Sequence, residues 1–168
     1  MRIAQGGDVL MPGGPDYPAQ IIDVRDLANF TIDCLDKQIT DTFNTVTPTG
    51  SYTMGQLLED SQAVSAATVN PVWVDETFIS EAQEKSQVQN WGMFPIWHSL
   101  DGDSANVSSI SGKKAVAAGL HNRPVRETAR DLLTWWQTLP EDRTATMRAG
   151  MSAEVETELI AAWKAQQG

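Results

Sequence analysis

The sequence predicts a mixed α/β, helix-rich fold with short strands in one or two small sheets and no complete Rossmann sheet. Three observations carry this. Short β-rich runs alternate with stretches of helical period, Pro and Gly break the chain often, and the glycine-rich turn that opens a doubly wound dinucleotide fold is absent. The chain has 168 residues, 41% of them hydrophobic. That is the size of a single domain, 1–168, able to bury its own core.

Residues 5 to 18, with Gly6-Gly7, Pro12-Gly13-Gly14-Pro15 and Pro18, hold enough breakers to read as a loop. The run Gln20-Ile21-Ile22-Asp23-Val24 follows as a strand, because Ile and Val suit a pleated, half-buried surface. Asp26 then stands where a carboxylate can accept from the free N–H groups of a helix start. That helix, from about Asp26 to Lys37, has Leu27, Phe30 and Cys34 on one stripe, widened by Ala28, Ile32 and Leu35. So wide an apolar face predicts deep burial.

Thr42-Phe43-Asn44-Thr45-Val46 reads as a second strand. Thr53 and Gln56 form a capping-box pattern before a helix through Leu57 and Leu58. Pro71-Val72-Trp73-Val74 reads as a third strand, and Asp75 as the cap of a helix carrying Phe78, Ile79 and Ala82. From Trp91 to Asn106 no period persists, so Trp91, Phe94, Trp97 and His98 are expected to anchor an ordered loop. Ser111 is placed to cap a short helix through Ala115 and Ala118 that stops at Gly119. Pro124 suits the first turn of a helix with Val125, Ala129, Leu132, Leu133 and Trp136 at helical spacing, which Pro140 ends. The last helix starts at Ser152, has Glu154 and Glu156 where its dipole favours anions, and is expected to bury Val155, Leu159 and Trp163.

Charge and cysteine content narrow the function. Twelve basic against 22 acidic residues give a formal charge of −10, which opposes binding to phosphate backbones or anionic lipid. Neither nucleic acid nor membrane is an expected partner. The lone Cys34 lies in an apolar helical pattern and reads as a buried structural thiol, with both histidines, His98 and His121, distant in sequence. Two such histidines and scattered carboxylates give no metal-ligand spacing. With no apolar run of membrane-spanning length and no signal-like N-terminus, a cytoplasmic location is expected.

The words Gln20-Ile21-Ile22-Asp23-Val24-Arg25-Asp26-Leu27-Ala28 resemble the strand-to-helix junction in the C-terminal part of extended short-chain dehydrogenase/reductases, the NAD-dependent epimerase/dehydratase family. Three later segments extend the likeness over nearly the whole chain. Phe43-Asn44 followed by Thr53-Met54 and Leu57-Leu58 is similar to the family's strand-loop-helix. The run from Lys113 through Ala118-Gly119-Leu120 to Arg123-Pro124, Thr128 and Trp135 is similar to its closing helices. Gly150-Met151-Ser152, leading to an acidic helix that ends in Ala161-Ala162-Trp163, is similar to a reductase-like subgroup.

The resemblance implies the substrate-binding portion of an NAD(P)-dependent enzyme acting on a small carbonyl or hydroxyl compound. No cofactor site is expected in this chain, since it has no Gly-x-x-Gly-x-x-Gly. It also lacks the family's Tyr-x-x-x-Lys pair, for the residues four positions after Tyr17 and Tyr52 are Ile21 and Gln56 rather than lysine. NAD or NADP and the proton relay would belong to an N-terminal Rossmann domain upstream of Met1, and the chain alone would be catalytically silent. Sugar-nucleotide epimerases of the family keep a phosphate-gripping arginine just before the Gln20 strand, where this chain has Ala19, so a nucleotide-sugar substrate is disfavoured.

By the same resemblance Gln20 stands where related reductases present an amide to substrate; its bland reading is a solvated residue at a strand end. Trp91, Trp97 and His98 read either as the lid of a substrate pocket or as plain loop anchors. Arg123 reads as a salt-bridge residue near a helix start that can reach the cleft mouth, while Asp23, Arg25 and Asp26 form the structural motif, with Arg25 paired to Asp23 or to a neighbouring segment. An alternative function is a non-catalytic interaction module. Strand backbone and apolar surface left without their sheet would then favour a homodimer.

Overall fold

In a computed structural model, which describes residues 1–86, 94–145 and 150–168, the chain is organised around two parallel strands. β1 (Gly7–Pro12) pairs with β2 (Val69–Val74) in the register Gly7↔Val69 through Pro12↔Val74. Seven α-helices are present among the described residues: α1 (Val24–Asp36), α2 (Met54–Ser65), α3 (Glu76–Ser86), α4 (Lys113–Ala117), α5 (Val125–Gln137), α6 (Glu141–Thr144) and α7 (Ala153–Gln167). The fold is mixed α/β, about half helical, with one two-stranded sheet among the described residues. No helix among them is long and apolar enough to cross a membrane.

β1 corrects the reading of 5 to 18 as loop. Its residues Val9, Leu10 and Met11 are all buried, the continuous apolar run expected of a parallel strand covered on both faces. The breakers bracket it instead of interrupting it. Gly6, Gly7 and Gly13 have φ of 72°, 76° and 74°, the left-handed region that glycine enters without steric cost.

Two expected strands do not form. Residues 20 to 24 are irregular up to Asp23, and Val24 already opens α1. Residues 42 to 46 are likewise irregular, with no backbone–backbone hydrogen bond among the described residues. Both have β-rich composition, but such residues become a strand only beside a partner, and the described residues offer neither segment one.

Local signals elsewhere fix the helix starts. Thr53 accepts from the Gln56 N–H at 3.2 Å while Gln56 Oε1 accepts from the Thr53 N–H at 2.9 Å, completing the capping box of α2. Asp75 accepts from the Phe78 N–H at 2.8 Å, and Ser152 caps α7 through the Val155 N–H. At α4 the cap is Gly112 with no side-chain bond, so Ser111 does not have the expected role. Gly119, at φ 111°, follows that helix as expected.

The main core gathers Val9, Leu10, Met11, Met54, Leu58, Val72, Val74, Phe78, Ile79, Trp97 and Ile160. α7 turns Glu156 and Ile160 inward, with Leu159 and Trp163 packed alongside and Val155 half-buried. This shifts its buried face by one position from the expected one. A smaller cluster of Phe30, Ala115 and Leu120 joins α1 to α4, with Phe43 and Cys34 packed against it. Cys34 is thus half-buried, not enclosed.

Gly55 shows how tightly the 13 to 18 loop is held against α2. Its N–H donates to Pro15 O at 2.8 Å, and a Cβ there would meet the same oxygen at 2.9 Å. In an open helix Gly→Ala gains about 1 kcal/mol, but here overpacking against backbone opposes it. Gly55→Ala is expected to destabilise by about 1–2 kcal/mol, read as a lower urea midpoint; an unchanged or higher midpoint would mean that the 13 to 18 loop yields freely.

Candidate functional site

The expected site residues fall in three places. Gln20 is a latch: its Nε2 donates to Thr47 O at 2.8 Å and Ile110 O at 2.9 Å, and its Oε1 accepts from the Ile110 N–H at 3.0 Å. The amide thereby ties the chain before α1 to two separate loops. Beside it the Ile21 N–H donates to Thr47 Oγ1 at 3.2 Å.

Asp23, Arg25, Asp26 and Arg123 form an ion cluster at the α1 N-terminus. Asp23, not Asp26, is the cap: it accepts from the Arg25 N–H at 2.8 Å. Its carboxylate also takes Arg25 Nε at 2.9 Å, Arg25 Nη2 at 2.7 Å and the Thr128 hydroxyl at 2.7 Å. Arg25 reaches Asp131 on α5 as well. Three residues on, Asp26 faces inward and accepts from the Arg123 N–H and Nε, each at 2.8 Å. The correction has a simple origin: two carboxylates one helical turn apart can both sit at a helix start, and the one at the boundary takes the cap while the other lies within the first turn.

The electrostatics follow from these partners. Bonds from Arg25 hold the Asp23 carboxyl far below the usual carboxylate range against the opposing effect of burial. Burial alone would push Asp26 up, yet the Arg123 bonds outweigh it and leave Asp26 lowered. Arg123 also lines a cleft of about 530 Å³ with Tyr52, Asp60, His121 and Asn122. There Asp60 accepts from the Tyr52 hydroxyl at 2.9 Å and pairs with Arg126 at 2.8 Å. Burial, then the Asp60 bond, push the Tyr52 phenol well above its ordinary range.

Trp97 belongs elsewhere. It helps to line a cavity of about 280 Å³ between β1, α2, residues 94 to 97 and Met151. Tyr17 stacks on it at 6.1 Å and Phe94 meets it edge-on at 6.0 Å. His98 is half-buried beside it and does not line that cavity. Trp91 lies outside the described residues. Gln20 and Arg123 are therefore neighbours through Thr47, which lines the larger cleft, whereas Trp97 serves a separate hollow.

Sequence reasoning missed the polar floor of that hollow. Glu156 is 5% exposed; its Oε1 accepts from the Leu10 N–H at 3.0 Å and its Oε2 pairs with Arg2. Its position in the first turn of α7 was legible, but its partners stand 146 and 154 residues away, beyond any local pattern. Among the described residues no group of three or more His, Cys, Asp or Glu is placed to hold a metal ion. Comparison with protein-family models, curated proteins and solved structures finds no match to this chain.

Proposed function

We propose that this chain is the substrate-binding portion of an extended short-chain dehydrogenase/reductase of the NAD-dependent epimerase/dehydratase family, working on a small carbonyl or hydroxyl compound beside a Rossmann half that brings NAD or NADP and the proton relay. The sequence resemblance suggests the family; one structural observation supports the division of labour. The outer face of α1 is apolar and open, with Val24 73%, Ile32 55% and Leu35 72% exposed, on the side opposite buried Asp26 and Phe30.

On the other side of that helix, through the Phe30–Phe43 ring contact at 5.3 Å, runs the strand-like segment 42 to 46 with its backbone unladdered. An open apolar helix face and unpaired β-rich backbone are each what remains when a neighbouring layer is taken away. The Rossmann half would cover the outer face of α1 and, separately, give the segment a strand partner. The alternative, a homodimer of an interaction module, would bury the same face against a second copy.

The test is reconstitution. The 168-residue chain is mixed with a separately expressed Rossmann half from a reductase of this family, and NAD(P)H oxidation, hydrogen exchange and sedimentation are followed. Expected are no cofactor binding by the chain alone, protection of 42 to 46 in the mixture, and loss of association by at least tenfold in Leu35→Asp. Tight NADPH binding and turnover by the chain alone would overturn the proposal, and a stable homodimer indifferent to the added half would favour the interaction module.

A further inference from the structure

Residues 40 to 51 form a strap that side chains hold to the fold. Backbone bonds pin its two ends, from the Ile39 N–H to Cys34 O at 2.8 Å and from the Ala19 N–H to Tyr52 O at 3.0 Å. Between those pins no backbone–backbone bond joins the strap to the other described residues, and the bond from the Ser51 N–H to Pro48 O is internal to it. Thr47 alone in this stretch is buried, at 7% exposed. A segment with few backbone bonds and little burial opens at a lower free energy than the whole chain.

What closes the strap converges on residues 110 to 112. Asn44 Nδ2 donates to Ser111 O at 3.3 Å and Thr49 Oγ1 to Ile110 O at 3.2 Å, both at exposed positions. At Thr47, between those two, Gln20 commits its whole amide. Its two N–H donors go to Thr47 O and Ile110 O, and its Oε1 takes the Ile110 N–H. The backbones fit closely there, since a Cβ on Gly112 would meet Val46 O at 2.8 Å.

The strap supplies Thr47, Pro48 and Ser51 to the lining of the cleft of about 530 Å³. Arg123, on the same lining, is instead anchored to Asp26 through its N–H and Nε. We propose that residues 40 to 51 are a movable wall of this cleft, which opens while the rest of the chain stays folded, and that Gln20 is the latch that holds the wall closed. Gln20, which does not line the cleft, is then a positioning residue that sets its width. The inference goes beyond the proposed function, and its test uses the chain alone.

The experiment measures how fast a buried thiol reacts with an aromatic disulfide reagent in the folded chain. Cys34, the single native cysteine, is removed by Cys34→Ser, and Thr47→Cys or Val74→Cys then puts one thiol in the strap or in the core, where Val74 is 0% exposed. The thiol at 47 is expected to react roughly a hundredfold faster than the one at 74, at a rate that low urea leaves unchanged, because local opening exposes little surface. Adding Gln20→Met, of similar length without the hydrogen bonds, is expected to raise the rate at 47 about tenfold, the loss of one to two neutral bonds. Gly112→Ala, at a φ of −92° that any residue adopts, pushes on Val46 with Gln20 intact and is expected to raise the same rate. Ile79→Val, in the main core, is expected to raise the rate at 74 and leave that at 47 unchanged.

A thiol at 47 that reacts no faster than the one at 74, with the same urea dependence, would overturn the movable wall. One already as reactive as a surface thiol would overturn the closed state. A rate at 47 unmoved by Gln20→Met would overturn the latch, and one unmoved by Gly112→Ala would overturn the seat of the strap on residue 112.

Discussion

Glu156→Ala is expected to lower stability by about 3 kcal/mol, seen as a fall of roughly 6–12 °C in Tm for a chain of this size. The reason lies in the sheet. With only two strands among the described residues, β1 has β2 along one edge, and backbone groups on its other edge need acceptors from outside the ladder. Glu156 supplies one, accepting the Leu10 N–H in the core while binding Arg2.

Truncation leaves that N–H buried and unmade, at about 1–3 kcal/mol, and removes a charge-assisted bond of about 1.5–3 kcal/mol. Arg2 is a third exposed and regains water, which keeps the total near the lower sum. Glu156→Gln retains an oxygen for Leu10 and is expected to lose about half as much. Urea denaturation of the three proteins checks this; if both variants lie within 0.5 kcal/mol of the parent, in the ordinary range for surface changes, the carboxylate does not hold the sheet edge.

What could be read in the sequence was whatever a few neighbouring residues decide. The Thr53–Gln56 box, the Asp75 cap and the Ser152 start each need only a side chain and a backbone N–H three residues on, and each stands where expected. The strand at Pro71 to Val74 was visible in composition and extends two residues further back. β1 was hidden because its flanking glycines and prolines outweighed three central apolar residues. At 20 to 24 and 42 to 46 composition was read correctly as β-prone, but pairing is a property of two segments.

The candidate sites divide in the same way. Arg25–Asp23 was legible because the partners are two residues apart. Asp26 was misplaced by one helical turn, and its bond to Arg123, 97 residues away, is set by how α1 docks against the loop before α5. The Trp97 cavity draws on residues from Met1 to Glu156. Its aromatic member stood out in the sequence, while the apolar wall and the Arg2–Glu156 floor are assembled only by folding.

Asp23→Ala is expected to cost about 2–3 kcal/mol at neutral pH and to flatten the acid limb of stability. Asp23 caps α1, worth about 1 kcal/mol, and holds Arg25 and Thr128 through charge-assisted bonds of about 1.5–3 kcal/mol. The exposure of Arg25, at 44%, discounts the ionic part. The Asp26–Arg123 bonds survive, so α1 stays docked while its joint with α5 through Thr128 and Asp131 loosens.

The pH dependence has a definite sign. Both Asp23 and Asp26 have folded-state values lowered from the ordinary 3.8, so the unfolded chain takes up protons first as acid is added. Their stabilisation is fully present above that ordinary value and is lost as pH falls through it toward the folded values. Wild type is therefore expected to lose stability steeply below about pH 4, Asp23→Ala less steeply, and Asp23→Asn, which keeps a capping oxygen without the charge, to share the flatter limb from a higher starting point. Urea midpoints from pH 7 to pH 2.5 measure all three. An acid limb of unchanged slope in Asp23→Ala would place the pH sensitivity in other carboxylates and leave Asp23 as a cap alone.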